Sequence, residues 1–152
     1  MKAMQICEGV YWVGAIDWNL RNFHGYETEK GSTYNAYLIL DEKITLIDTV
    51  KEGFADEMLS RIRSVIDPSK IDVIISNHAE PDHSGSIPAL LEIAKNAKVY
   101  AAAGAGQKDL AAYYGDRGYI GVKAGETLSL GKRTLTFVPT PMVHLSLIPL
   151  SE

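Results

Sequence analysis

The sequence has a single cysteine, Cys7, in 152 residues. An internal disulfide is therefore impossible, which fits a reducing compartment. One thiol near a terminus reads as a small buried hydrophobe rather than a nucleophile. Positive charge is also scarce: 15 Lys and Arg stand against 19 Asp and Glu, for a net charge of -4. That balance disfavours nucleic acid or an anionic membrane as the main partner. No apolar run approaches the roughly 20 residues of a transmembrane helix. Gln5 and Glu8 interrupt the N-terminal residues, so no signal-peptide core is present there and a cytoplasmic protein is expected. The sequence shows no repeat, low-complexity tract or internal linker. With 46% hydrophobic and 22% charged residues, it has the composition of one globular domain with a real core.

Histidine is scarce too, with four in the chain, yet two of them fall within one short stretch. Residues 71–86 open with Val73-Ile74-Ile75, an apolar β-branched run that reads as a buried strand. The run stops, and within six residues come His78, Glu80, Asp82 and His83. Pro81 cannot donate to a sheet ladder and Gly85 supplies backbone freedom, so a loop is expected. A polar loop at a strand end can simply be solvated. Four ligand-type side chains so close together instead suit a cation, because burying them unpartnered would cost several kcal/mol each, on the order of the desolvation penalty. In extended backbone His78, Glu80 and Asp82 would share a side, while the neighbours Asp82 and His83 would point apart. One loop could then feed two metals, His78 and Glu80 to one, Asp82 and His83 to the other.

Around this stretch the chain reads as paired strands followed by strands alternating with helices. Residues 10–14 form a first strand, and 17–30, polar and aperiodic, a long loop holding His24. Residues 34–40 and 44–48 form a hairpin about the turn Asp41-Glu42-Lys43. Asp48, at its end, either faces a site or caps the next helix. Helical spacing of Phe54, Met58, Leu59 and Ile62 predicts a helix over 52–66, ended by Asp67-Pro68. Ser86 is the expected N-cap of a helix through Ala94. A strand at 99–102, a helix at 104–114 and strands at 119–122, 127–130 and 134–138 follow. Gly104-Ala105-Gly106 lacks the spacing and the Lys-Ser/Thr ending of a phosphate loop and reads as a turn. The last strand runs into His144, a fifth ligand-type residue at a strand end. The order predicts an α+β fold, a mixed sheet layered with helices.

Residues 76–86, with His-x-Glu-x-Asp-His and a later His after a strand, resemble the metallo-β-lactamase superfamily. Glu80, where the usual loop carries His, is similar to flavodiiron proteins, as are residues 17–28, 31–38 and Thr140-Pro141-Met142. The resemblance implies an αββα sandwich, of which residues 1–144 are the first half, with 145–152 as an unrelated tail. It implies that His78, Glu80 and His144 bind one iron and Asp82 and His83 the other. His24 would line the substrate pocket, and Asp48 would lie beneath the site. The family reduces dioxygen to water or nitric oxide to nitrous oxide. Its electrons come from a rubredoxin-type or other donor through an FMN in a flavodoxin-like domain, which this sequence lacks, across a head-to-tail dimer. A carboxylate in place of an imidazole hardens the ligand set and favours iron over zinc.

Two other readings compete: a binuclear zinc hydrolase of the same superfamily, and a truncated metal-binding remnant without activity. Half a sandwich would also leave one apolar sheet face bare, so association into a dimer or larger species is expected.

Overall fold

Buried strands alternate their side chains between two faces, and in this chain both faces are apolar. The computed structural model describes residues 1–23 and 25–140 and the backbone of 147–151; His24 and His144 lie outside the described residues. Strands β1 (Met4–Cys7) and β2 (Val10–Trp12) pair as a hairpin, and Cys7, read as a buried hydrophobe, is exposed because β1 lies at the edge of the sheet. β3 (Ala15–Asp17), β4 (Asn22–Phe23), β5 (Tyr26–Glu27) and β6 (Ser32–Tyr34) follow, with β3 against β6 and β4 against β5. The expected loop over 17–30 is thus partly ribbon, in strands too short and polar to leave a period.

β7 (Tyr37–Ile39) and β8 (Thr45–Ile47) form the expected hairpin. The single strand expected over 34–40 is broken between Tyr34 and Tyr37. There Trp12 Nε1 donates to Asn35 Oδ1 and Val13 N to the Ala36 carbonyl, so the chain passes from the small ribbon to the main sheet. Helix α1 (Ala55–Arg63) comes next, after a 3-10 turn at Glu52–Phe54. Then follow β9 (Val73–Ser76), α2 (Pro81–Ser84), α3 (Ile87–Ile93), β10 (Lys98–Ala102), α4 (Ala105–Tyr114) and β11 (Ile120–Val122). β12 (Thr127–Ser129), β13 (Thr134–Pro139) and β14 (Leu147–Ser151) make a second, antiparallel sheet.

Among the described residues the main sheet has seven strands in the order β1-β2-β7-β8-β9-β10-β11. It is antiparallel through β8 and parallel from β8 to β11. Leu38, Leu46 and Ile74 face the helices and pack with Met58, Ile62, Leu90 and Leu110. Their neighbours Ile39, Ile47, Val73 and Ile75 face the other way, under Leu130, Leu135 and Phe137. Helix layer, main sheet and second sheet are three layers of the αββα sandwich. The bare apolar face expected from half a sandwich is not found among the described residues, because the 127–137 hairpin covers it. No described helix is long and apolar enough to cross a membrane.

Ile75 sits fully buried between the two sheets, whereas Ile6 on β1 is 55% exposed. Ile75→Ala should lower the urea-unfolding free energy by about 2–5 kcal/mol through lost burial and a cavity. Ile6→Ala should stay within about 0.5 kcal/mol of the parent. Equal effects at the two positions would contradict this layering.

Candidate metal centre

Parallel pairing of β8 with β9, in the register Ile47 to Ile75, brings the ends of both strands to the same edge of the sheet. Such carboxyl edges are where open α/β sheets place ligands. Asp48 leaves β8 there with φ 55°, the one non-glycine positive φ among the described residues. Its backbone N–H donates to the Ile75 carbonyl at 2.8 Å. Its buried carboxylate then takes the start of the loop: Oδ1 accepts from Asn77 N at 2.8 Å and Oδ2 from Asn77 Nδ2 at 3.1 Å. Oδ2 also lies 3.3 Å from His83 Nδ1.

The next residues hold the loop's other end. Thr49 N and Oγ1 both donate to the His83 carbonyl, at 2.7 and 2.8 Å. Ser86 Oγ donates to the Val50 carbonyl at 2.8 Å. This corrects half of one expectation: Ser86 is the N-cap residue of α3, as read, but its side chain makes no cap. It also settles the choice left open for Asp48. Helix α1 starts only at Ala55, after Phe54, so Asp48 faces the loop rather than capping a helix.

The loop is not extended throughout, as the alternation reading required. Pro81, with φ preset, opens the helical turn α2 at its first position. The Glu80 carbonyl accepts from both His83 N and Ser84 N at 2.9 Å. Gly85 permits the close return, since a Cβ there would meet the Pro81 carbonyl at 2.4 Å. The turn has a chemical consequence. Asp82 and His83, which would point apart in a strand, meet with Oδ2 and Nε2 3.3 Å apart. His78 Nε2 and Glu80 Oε1 are also 3.3 Å apart, and the two imidazole rings lie edge-on with centroids 5.6 Å apart.

Two donors on one cation with bonds of about 2.0–2.2 Å lie about 3.0–3.4 Å from each other. Both imidazole–carboxylate pairs have that spacing, and their nitrogen and oxygen donors suit a first-row transition metal. Among the described residues no three His, Cys, Asp or Glu side chains are gathered around one point. The structure thus brings together His78 with Glu80 and Asp82 with His83, while His24 and His144 lie outside the described residues. The sequence reading missed Asn77, Thr49 and Ser84, and it assigned Ser86 a different partner. Their partners lie about thirty or more residues away or are backbone carbonyls, and no local pattern signals either. The hydroxyl-rich flanks of the loop, Ser76, Ser84 and Ser86, were the available hint.

A family model described as "ODP family beta lactamase" matches residues 33–147. The chain is 47% identical over 147 residues to a nitric oxide reductase of Moorella thermoacetica, covering 94% of this chain and 37% of that protein. It is 51% identical over 147 residues to a rubredoxin-oxygen oxidoreductase of Megalodesulfovibrio gigas, covering 95% of this chain and 36% of the relative. The crystal structure of the flavodiiron protein from Giardia intestinalis superposes on 99% of this chain and 38% of its own, with TM-score 0.91 and 40% identity. The chain thus spans little more than a third of the length of each of these three proteins.

His83 is pushed above the ordinary imidazole pKa. Burial alone opposes its charged form, but the Asp48 hydrogen bond and charge, with the charges of Asp82 and Glu80, outweigh it. A raised folded-state pKa stabilises the fold with the ring protonated. In metal-free protein this contribution is fully present below about pH 6.5 and is lost as pH rises through the folded value. The urea midpoint of metal-free protein should therefore fall between about pH 6 and about pH 9, and His83→Gln should flatten that fall. An identical pH slope in the variant would contradict the assignment.

Proposed function

Because this chain belongs to the flavodiiron proteins, as the first part of their β-lactamase-like domain, we propose that it forms the metal-binding portion of an oxidoreductase. The reaction is reduction of dioxygen to water or of nitric oxide to nitrous oxide. In this reading His78, Glu80 and His144 hold one iron, and Asp82 and His83 the other. His24 lines the substrate pocket. The observation that carries the reading is the doubling of one motif: two imidazole–carboxylate contacts, each 3.3 Å, within a single loop.

Iron held by these residues would supply one-electron chemistry toward a small diatomic molecule, which zinc, having no redox chemistry, would not. The chain's own residues prepare that chemistry. Asp48 Oδ2 accepts a hydrogen bond from His83 Nδ1–H, which holds the proton on that nitrogen and leaves the Nε2 lone pair on the Asp82 side. The carboxylates Glu80 and Asp82 provide hard oxygen donors that favour the ferric state. Glu80, with its side chain 40% exposed, marks the open side of the loop, while His83 and Asp82 are deeper, at 16% and 12%. The FMN, the rubredoxin-type donor and the head-to-tail dimer belong, in this reading, to the complete flavodiiron protein.

Anaerobic loading with ferrous iron followed by metal analysis and one pulse of oxygen or nitric oxide tests the proposal. The protein should bind iron and oxidise on the pulse in proportion to its iron content. His78→Ala and Glu80→Ala should each weaken iron binding by more than the roughly 10–100-fold that loss of a supporting group costs. Full iron content in either variant would refute the ligand assignment. A zinc form that hydrolyses an ester, thioester or lactam, beside an iron form inert to both gases, would favour the hydrolase reading.

A further inference from the structure

The peptide groups on either side of Glu80 are held from a distant element, and a count of hydrogens fixes the direction. Ser84 is fully buried and has one hydroxyl hydrogen. Its Oγ lies 2.6 Å from the Ala79 carbonyl and 3.0 Å from the Glu80 carbonyl. Both are acceptors only, so the serine hydrogen is committed to them. Tyr114 Oη lies 2.9 Å from the same Oγ. With that hydrogen already placed, Tyr114 is the donor in this contact. Tyr114 is the last residue of α4, in the crossover between β10 and β11, thirty positions along the chain from Ser84.

We propose that Tyr114 is a positioning residue for the first metal position. Through Ser84 it fixes the peptide planes at Ala79 and Glu80, and with them the direction in which the Glu80 side chain leaves the backbone. Glu80 needs such control more than its neighbours. It is the most exposed of the four donors, 40% against 20%, 12% and 16% for His78, Asp82 and His83. It occupies the N-cap position of α2 yet makes no side-chain cap there, which keeps its carboxylate turned to the His78 side. Asp48 lies behind His83, and the Ser84–Tyr114 contact acts on Glu80 through its backbone. The inference rests on Glu80 being a metal ligand, as proposed above.

Tyr114→Phe removes the donor and keeps the ring. Cobalt(II) titration of the metal-free protein, read in its visible d–d bands, reports both affinity and coordination geometry. Tyr114→Phe should weaken the site that contains Glu80 by about 10–100-fold and shift its d–d band. The thermal midpoint of the metal-free protein should remain close to that of the parent. Ser84→Ala should act alike, and the double variant should be no weaker than the worse single one, because both interrupt the same chain of hydrogen bonds. Unchanged affinity and band in Tyr114→Phe, with Glu80→Ala still abolishing the site, would overturn the positioning role and leave the ligand assignment standing. So would additive losses in the double variant. Absence of cobalt binding, or binding indifferent to Glu80→Ala, would overturn both.

Discussion

One buried carboxylate determines whether the rest of the site can exist. Asp48 ends β8, adopts a backbone conformation that costs a non-glycine residue roughly 1–2 kcal/mol in general and Asp less, and turns its oxygens onto the neighbouring strand. Hydrogen bonds to a charged group contribute about 1.5–3 kcal/mol each. Two from Asn77 and one contact to His83 therefore outweigh the backbone cost. Without Asp48 the buried Asn77 N–H would lose its acceptor, and the His83 ring would lose the group that sets its tautomer. Local strain at a functional position, compensated by the groups around it, is the general pattern.

The same segment explains why a loop carrying four ligand-type residues can be rigid. Asp48 grips its first residue, Thr49 grips the His83 carbonyl, and Val50 receives Ser86. Between these anchors the helical turn from Pro81 sorts the donors into sequential pairs rather than alternating ones. The hairpin β7–β8, the parallel pairing with β9 and the apolar packing on both sides of the sheet all serve to hold this one edge in register.

Much of this was legible in the sequence. Strands β7 to β13 follow from apolar alternation and β-branched runs, and α1, α3 and α4 from helical spacing and their Pro and Gly boundaries. The four donors of the loop stood out by residue type alone. Their division into His78 with Glu80 and Asp82 with His83 was read as well, but not the direct approach of Asp82 to His83, since the extended reading gave no weight to Pro81 as the first residue of a helical turn. Asp48 was a candidate without a partner, because its partners Asn77 and His83 are 29 and 35 residues distant. Hydroxyl groups that bond to backbone carbonyls or to one another leave no periodic signature, so Thr49, Ser84 and Tyr114 could be found only in three dimensions. The cover supplied by Leu130, Leu135 and Phe137 was missed for a related reason: half a fold had been expected to leave its sheet bare, yet one short hairpin closes the layer.

The central claim is that the loop presents two imidazole–carboxylate pairs, one for each of two metal ions. Anomalous diffraction at the iron edge, from crystals of protein loaded anaerobically with ferrous iron, tests it most directly. The account predicts two peaks about 3.5–4 Å apart, one within bonding distance of His78 and Glu80, the other of Asp82 and His83 Nε2, with His83 Nδ1 still against Asp48. A single ion shared by all four side chains, an ion bound through His83 Nδ1, or iron sited away from the loop would contradict it.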